Sequence, residues 1–520
     1  KEMGLGRWIE RQLDPALIPD EAVQQMLAAY PTLGRTTAEL WEEYPRPKPE
    51  LLQRMASGQL SQKEMRELLP PEKRPYRIVA ELQSAKVLRA VMSERQLQEV
   101  MVDFWFNHFN VFAQKGEVRW LLTSYERDAI RPHAMGRFRD LVNATARHPA
   151  MLFYLDNWMS TRADLVMPAG PQKGKKMGLN ENYARELMEL HTLGVDGGYT
   201  QQDVVEVARA FTGWTLERPA RGGSFVFRPM AHDQGAKRVL GHVIPAGGGE
   251  MDGMKVIDIL VRHPSTARFV STKLVRRFVS DEPPAALVDR VAKTFRDTDG
   301  DVRAMLVTIF ESAEFWSSDA YRAKIKTPIE VVASAARALH VQILPPGSSA
   351  FPEQDLTMTP RLNLAERPSL AERLAERGGL QAVGGGFILA RQVATLGEPL
   401  YEMQPPTGYP DVAEAWVNTG ALLNRMNFAL ALAHNRLPGA RVDIGRVLAG
   451  VDRRNPDAVL DRLLTVALHG QATAETKAML RAQLSSPEIT RSTPDYRGPR
   501  NTDVEKLAAL VLGSPEFQRR

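Results

Sequence analysis

The sequence predicts an all-α protein, a multi-helix globular array with one small β-hairpin near residues 224–244. Three observations predict it. Apolar residues recur at spacings of three and four along most of the chain. Prolines and capping residues punctuate those stretches at helical lengths. Strand-like alternation is confined to one short region.

The first hundred residues read as short amphipathic helices. Pro15, Pro19, Pro31, Pro45, Pro47, Pro49 and the Pro70-Pro71 pair separate them, because proline has no amide proton and clashes with the preceding turn. Over residues 72–108 the pattern lengthens into two core helices through Ile78, Leu82, Ala85, Leu88, Leu97, Met101 and Phe104. Further helices are expected at 120–130, 136–147, 149–155, 180–191, 201–213, 252–262, 264–279, 284–297, 301–311, 326–341, 411–434, 455–468, 474–484 and 502–513. Residues 224–228 alternate and residues 238–244 are β-rich, which gives the hairpin.

Residues 160–178 and 343–385 lack periodicity and read as mobile segments, the second as an insertion carrying a short exposed helix. We therefore expect a main helical domain over 1–440 and a C-terminal helical unit, 441–520, packed on the same core. An internal echo supports the second unit. Pro284 to Arg290, then Asp301-Val302 and Ser312 to Phe315, is matched by Pro456 to Arg462, then Asp503-Val504 and Ser514 to Phe517. The spacing differs, so this is a shared helix-hairpin design and not a fixed-period array.

Composition excludes several chemistries. With no cysteine among 520 residues, disulfides, zinc–thiolate sites, iron–sulfur clusters and cysteine nucleophiles are ruled out. The net charge is +5, and the basic stretches 173–176 and 273–277 interleave no aromatics, so no nucleic-acid partner is expected. No apolar run reaches the roughly 18–20 residues of a membrane span, so no transmembrane segment is expected. The chain starts at Lys1 and reads as helix at once; we expect it to be processed or truncated, with any leader missing.

The densest polar segment is 178–194, GLNENYARELMELHTLG. Asn180 is an N-cap candidate and Gly194 a helix stop. Glu181, Asn182, Arg185, Glu186 and Glu189 share one arc of the helix. As a solvated face, that arc would hold Glu181–Arg185 and Arg185–Glu189 pairs worth a few tenths of a kcal/mol each, about 0.2–0.5. As a functional face, Glu186 and Glu189 would act as acid and base or hold a divalent cation. His191 falls among the apolar residues, where a lone histidine is usually a core group. Elsewhere, the aromatic helix end at 104–110 carries Asn107 and His108, Asp156 precedes the first loop, and His232-Asp233 places a pair in a turn. Asp297 to Asp301 reads as a turn and not as a calcium loop.

Segments 104–111 (FWFNHFNV), 147–157 (RHPAMLFYLDN), 178–204 (GLNENYARELMELHTLGVDGGYTQQDV), 232–241 (HDQGAKRVLG), 263–279 (HPSTARFVSTKLVRRFV) and 405–411 (PPTGYPD) carry a resemblance. Over nearly its whole length the chain resembles the bacterial family catalogued as the domain of unknown function numbered 1800. The resemblance implies an exported protein, periplasmic or secreted, often encoded beside a sulfatase-like protein. It names no activity and assigns no catalytic residue.

The expectation is thus a hydrolase acting on an extracellular glycan or cell-envelope polymer. Glu186, Glu189 and His108 would be catalytic. Asn182, Arg185, Asn107 and Asp156 would bind substrate, and Glu186, Glu189 and His191 would hold any metal. Two glutamates one turn apart meet only the lower bound of the roughly 5–10 Å separation that glycosidic acid–base pairs require, and a metal-assisted reaction demands less of that spacing. The alternative is a non-catalytic scaffold or partner for the sulfatase-like neighbour.

Overall fold

The computed structural model describes the chain except residues 1–3, 60–63, 65–67, 69, 71–72, 164, 167–172, 349–379 and 485–502. Its principal helices are α1 (Tyr76–Met92), α2 (Gln96–His108), α3 (Phe138–Arg147), α4 (Asn182–Glu186), α5 (Gln201–Phe211), α6 (Met251–Arg262), α7 (Pro264–Phe278), α8 (Ala285–Asp297), α9 (Val302–Phe310), α10 (Pro328–Ala338), α11 (Leu380–Thr395), α12 (Thr419–Ala433), α13 (Pro456–Leu468) and α14 (Val504–Leu512). Shorter helical turns join them. The expected all-α class is what forms.

Local chemistry sets the boundaries. Thr200 and Asp203 form a capping box at the start of α5. Asp301 caps α9 and Asp503 caps α14, each accepting from the backbone three residues on, at 2.9 Å. The echoed sequences therefore build the same device, and Ser312 and Ser514 each accept from a phenylalanine amide, of Phe315 and Phe517, just beyond the helix end. The short exposed helix expected in the 343–385 segment, over its repeated Leu-Ala-Glu-Arg unit, lies outside the described residues.

α1 is central. It buries Ile78, Leu82, Ser84, Ala85, Val87 and Leu88, around its whole circumference. Its largest partner is α11, a helix the sequence reading did not expect, whose first six residues fall in the 343–385 segment. Gly386 of α11 lies so close to α1 that a β-carbon there would stand 3.2 Å from Ser84 Cβ, so small residues on both sides permit the contact. The expected helix 411–434 instead begins at Thr419, capped by Asn418. Prolines 405, 406 and 410 keep the preceding segment non-helical.

The strands differ from expectation. β1 (Trp214–Leu216) pairs antiparallel with β2 (Phe225–Phe227), and β3 (Lys237–Val239) with β4 (His242–Ile244). One hairpin was expected between the 224–228 and 238–244 stretches. The second stretch closes on itself instead, because Leu240 and Gly241 both take positive φ, 48° and 82°, as a two-residue hairpin turn requires. β5 (Gln342–Ile343) and β6 (Ala440–Arg441) form a third short ribbon. One continuous cluster of buried apolar side chains runs from Leu13 to Phe517.

Candidate functional site

The aromatic end of α2 is the pivot of the site. Burial of Met101, Phe104, Trp105 and Phe106 turns His108 into the core, where it is 2% exposed with Trp105, Phe109 and Phe138 around it. His108 Nε2 lies 3.0 Å from the His191 carbonyl and Nδ1 lies 2.9 Å from Lys273 Nζ. A carbonyl can only accept, so Nε2 carries the proton and Nδ1 accepts from the Lys273 ammonium. Burial, then the nearby Lys273 charge, holds the imidazole far below its ordinary pKa, and it is neutral.

His191 sits on a widened turn, Leu187–Thr192, that continues α4. Thr192 Oγ1 ties that turn to the Leu187 carbonyl at 2.7 Å. The ring is 1% exposed, 5.0 Å from Phe109, and burial followed by Lys273 lowers its pKa to about 3. It is a core histidine. Glu186 and Glu189 lie half-buried on the same stretch. Arg185 reaches Glu189 at 3.6 Å and Glu181 at 3.3 Å, and Gln201 joins both Arg185 and Glu181. Burial, then the Glu189 charge, raises the Glu186 carboxyl against Arg185. Asn180 does not cap a full turn as expected; it accepts from the Asn182 amide, and α4 starts after Glu181.

The expected substrate-binding set is dispersed. Asn182 donates to the Leu155 carbonyl, Arg185 stays in the surface network, and Asp156 pairs with Lys115 at 2.8 Å. The His232-Asp233 pair separates: His232 faces Asp252, and Asp233 binds Arg209. Among the described residues, no group of three His, Asp or Glu side chains is placed to hold a metal ion, so Glu186, Glu189 and His191 do not converge.

Asn107 faces elsewhere. Its carboxamide accepts from the Tyr409 amide at 2.7 Å and donates to the Tyr409 carbonyl at 2.8 Å. Asn110 donates to the Met403 and Pro405 carbonyls, and the Tyr154 hydroxyl donates to the Gln404 carbonyl. The FWFNHFN and PPTGYPD stretches are thereby one unit. Gly408 makes the approach feasible: its φ is +69°, and a β-carbon there would lie 2.3 Å from the Asn107 carbonyl.

That clasp forms one wall of a cleft of about 250 Å³. α2 contributes Asp103, Phe104 and Asn107, α7 contributes Lys273, Arg276 and Arg277, and the segment from Glu398 to Trp416 closes it. Lys273 reaches the cleft from beside His108. Burial lowers its pKa to about 8, with Asp411 opposing and Arg276 adding to the shift. Glu398 is 6% exposed and accepts from the Ile329 amide at 2.9 Å. Burial, then Asp103, pushes its carboxyl up to about 8. Beneath, Arg277 pairs with Glu330 at 2.9 Å, Arg520 with Glu330 at 2.9 Å, and Lys324 with Asp411 at 3.2 Å. Against its burial, Arg277, Lys324 and Arg520 hold Asp411 below the ordinary carboxylate range.

A family model matches residues 1–519. The chain belongs to that family, described as a protein of unknown function (DUF1800). No curated protein and no solved structure matches it. Family membership assigns no residue, so the site rests on geometry.

Of the sequence-derived candidates, the structure brings His108 and Asn107 to the cleft region and leaves Glu186, Glu189, Arg185, Asn182 and Asp156 outside its lining. Sequence reasoning missed Lys273, Glu398 and Asp411. Lys273 was visible within the basic stretch 273–277, which was weighed only for nucleic-acid binding. Glu398 carried no signal, since its role depends on contacts with Asp103 and Ile329, far away in sequence.

Proposed function

We propose that this chain is an acid–base enzyme of the hydrolase class and that its reaction takes place in the cleft beside His108. The observation that carries the reading is the pair of opposed titrations. One cleft holds a lysine pulled down to about 8 and a carboxyl pushed up to about 8. Such perturbed groups cluster where protons are transferred. Lys273, once neutral, accepts a proton from the attacking water. Glu398, kept protonated near neutral pH, donates to the leaving group. His108 positions the lysine through the 2.9 Å contact and does not itself touch substrate.

No helix among the described residues is long and apolar enough to cross a membrane. Together with the exported character that the resemblance implies, a periplasmic or secreted polymer such as an envelope glycan is the substrate we favour. The test is turnover of a panel of glycans and cell-envelope fractions by the purified chain, with Lys273→Met and Glu398→Gln. Loss of at least 100-fold in both variants supports the reading. Turnover that persists in both rejects it.

A second reading is a scaffold for a sulfatase-like partner. It is favoured by the pairing of Arg277, Glu330, Arg520, Lys324 and Asp411 with one another, which a purely structural network would show. Co-purification of that partner, combined with no turnover on any substrate, would favour it.

A further inference from the structure

We infer that the cleft binds an acidic sugar unit, a hydroxyl-bearing ring that carries a carboxylate or a sulfate. This rests on the reading of the cleft as a substrate site and names its substrate class.

Charge is the first argument. Lys273 and Arg276 stand one turn apart on α7 and line the cleft, and neither makes an ion pair among the described residues. The neighbouring cation, Arg277, is by contrast neutralised by Glu330. Asp411 acts on Lys273 without an ion-pair contact, and Arg276 spends Nε alone on the Asp281 carbonyl at 3.2 Å, so two partly desolvated cations outside any ion pair favour an anion, and the remaining edge of the Arg276 guanidinium suits a carboxylate or sulfate.

Buried polar atoms are almost always hydrogen-bonded, and each exception asks for an explanation. Around this one cleft four are left without a partner among the described residues: Trp416 Nε1, Arg277 Nε, Asp411 Oδ2 and Thr327 Oγ1. Two are donors, one is an acceptor, and the threonine hydroxyl can be either. A simple inorganic anion would serve only the donors. A ring with hydroxyls serves both, because each hydroxyl donates and accepts.

Shape is the third argument. Tyr409 and Trp416 line the cleft with ring centroids 5.9 Å apart and planes at 48°, so the half-buried Tyr409 ring offers an apolar surface for the C–H face of a sugar ring and the buried Trp416 backs it. The cleft, at about 250 Å³, falls just under the roughly 300–1,000 Å³ range of small-molecule sites, so it takes one monomer unit of a chain.

The experiment is equilibrium binding to the full chain, read by calorimetry and by tryptophan fluorescence. The probes are polygalacturonate, dextran sulfate and neutral dextran. Binding of either acidic polymer at least tenfold tighter than dextran is expected, and the arm that binds distinguishes carboxylate from sulfate. Arg276→Gln should cost at least tenfold, Arg276→Lys should recover part of it, and a Lys173→Gln, Lys175→Gln double variant should change nothing. The inference is overturned by equal affinity for all three polymers, or by a loss in the Lys173/Lys175 variant as large as in Arg276→Gln, which would be diffuse attraction to a basic surface. Melting temperatures of the variants separate misfolding from lost contacts. Acidic-polymer binding without turnover leaves this inference standing and rejects the acid–base reading. Turnover confined to neutral polymers does the reverse.

Discussion

Lys273 donates a 2.9 Å hydrogen bond to Nδ1 of His108, whose other ring nitrogen is committed to the backbone carbonyl of His191. This fixes the imidazole as a neutral acceptor and places a lysine in a setting where its own charge is disfavoured. Replacing Lys273 by methionine removes that charge and leaves a similar volume. It also orphans His108 Nδ1, a loss of about 1–3 kcal/mol that relief from burying an unpaired ammonium offsets. We expect unfolding stability within about 1 kcal/mol of the parent, again as the difference of those terms, together with loss of turnover. A melting curve beside an activity assay checks both; a large stability loss would mean the lysine is structural.

Two buried histidines, His108 and His191, and the half-buried His148 predict acid sensitivity. His148 and His191 are lowered to about 3, and His108 is also held well below its ordinary value, burial being the main cause in each. In the unfolded chain they take up protons near the ordinary value of about 6.5. Folded-state pKa values lie below unfolded ones, so the unfolded state binds more protons between about 3 and 6.5, and stability falls as pH drops through that window. Each histidine contributes a slope of up to about 1.4 kcal/mol per pH unit. His148→Asn removes one contribution and keeps a side chain able to accept from the Ala150 amide, as His148 does at 3.1 Å. Urea unfolding at several pH values should show a steep loss below pH 6, shallower in the variant. A flat profile would contradict the burial of these rings.

Glu398 gives the opposite sign. Its folded pKa, about 8, lies above the unfolded value, so its contribution is complete in acid and is lost as pH rises toward and through 8. Glu398→Gln, which cannot ionise, should be more stable than the parent above pH 8 and equal to it near pH 4. Activity of the parent should rise as Lys273 loses its proton and fall as Glu398 loses its own, a bell with its maximum near pH 8. Persistence of both the alkaline limb and the rate in Glu398→Gln, whose side chain cannot ionise, would remove Glu398 from the mechanism.

The reach of the sequence ends where local pattern ends. Helix period and caps placed α5, α8, α9 and α13 within a few residues, because each carries its own N-terminal signal and an apolar stripe. α11 was hidden because Gly384, Gly385 and Gly386 read as a loop; Gly384 does leave helical geometry, with φ +73°, while Gly386 serves close packing on α1. His108 and Asn107 were legible as polar groups at an aromatic helix end. Glu398, Asp411 and the lowered pKa of Lys273 were not, since each exists only through residues brought from elsewhere in the chain.

The wall of the cleft depends on Asn107 and Gly408. Asn107→Ala removes a two-bond clasp on Tyr409 and should cost about 1–3 kcal/mol. Asn107→Asp keeps the acceptor for the Tyr409 amide but sets a carboxylate against the Tyr409 carbonyl, so it should not rescue. Gly408→Ala meets both a left-handed φ of +69° and a backbone atom at 2.3 Å, so it should be at least as damaging. Hydrogen exchange of residues 403–412 reads the outcome: faster exchange there, with the rest of the chain unchanged, is expected.

The NENYAREL helix supplies the last prediction, because it separates two locations for chemistry. If Glu186 and Glu189 were the acid and base, Glu186→Gln or Glu189→Gln would abolish turnover. The observed setting argues otherwise. Glu189 is engaged by Arg185 at 3.6 Å on a part-exposed face, and pairs of that kind are worth about 0.2–0.5 kcal/mol. Glu186 is raised by burial and by the Glu189 charge, so neutralising either carboxylate relieves repulsion that partly compensates the lost pair. Each single variant should therefore change stability by no more than about 0.5 kcal/mol and leave turnover within about twofold, in line with other surface substitutions. A 100-fold loss in either, with the melting temperature intact, would move the reaction centre from the Lys273 cleft to this helix.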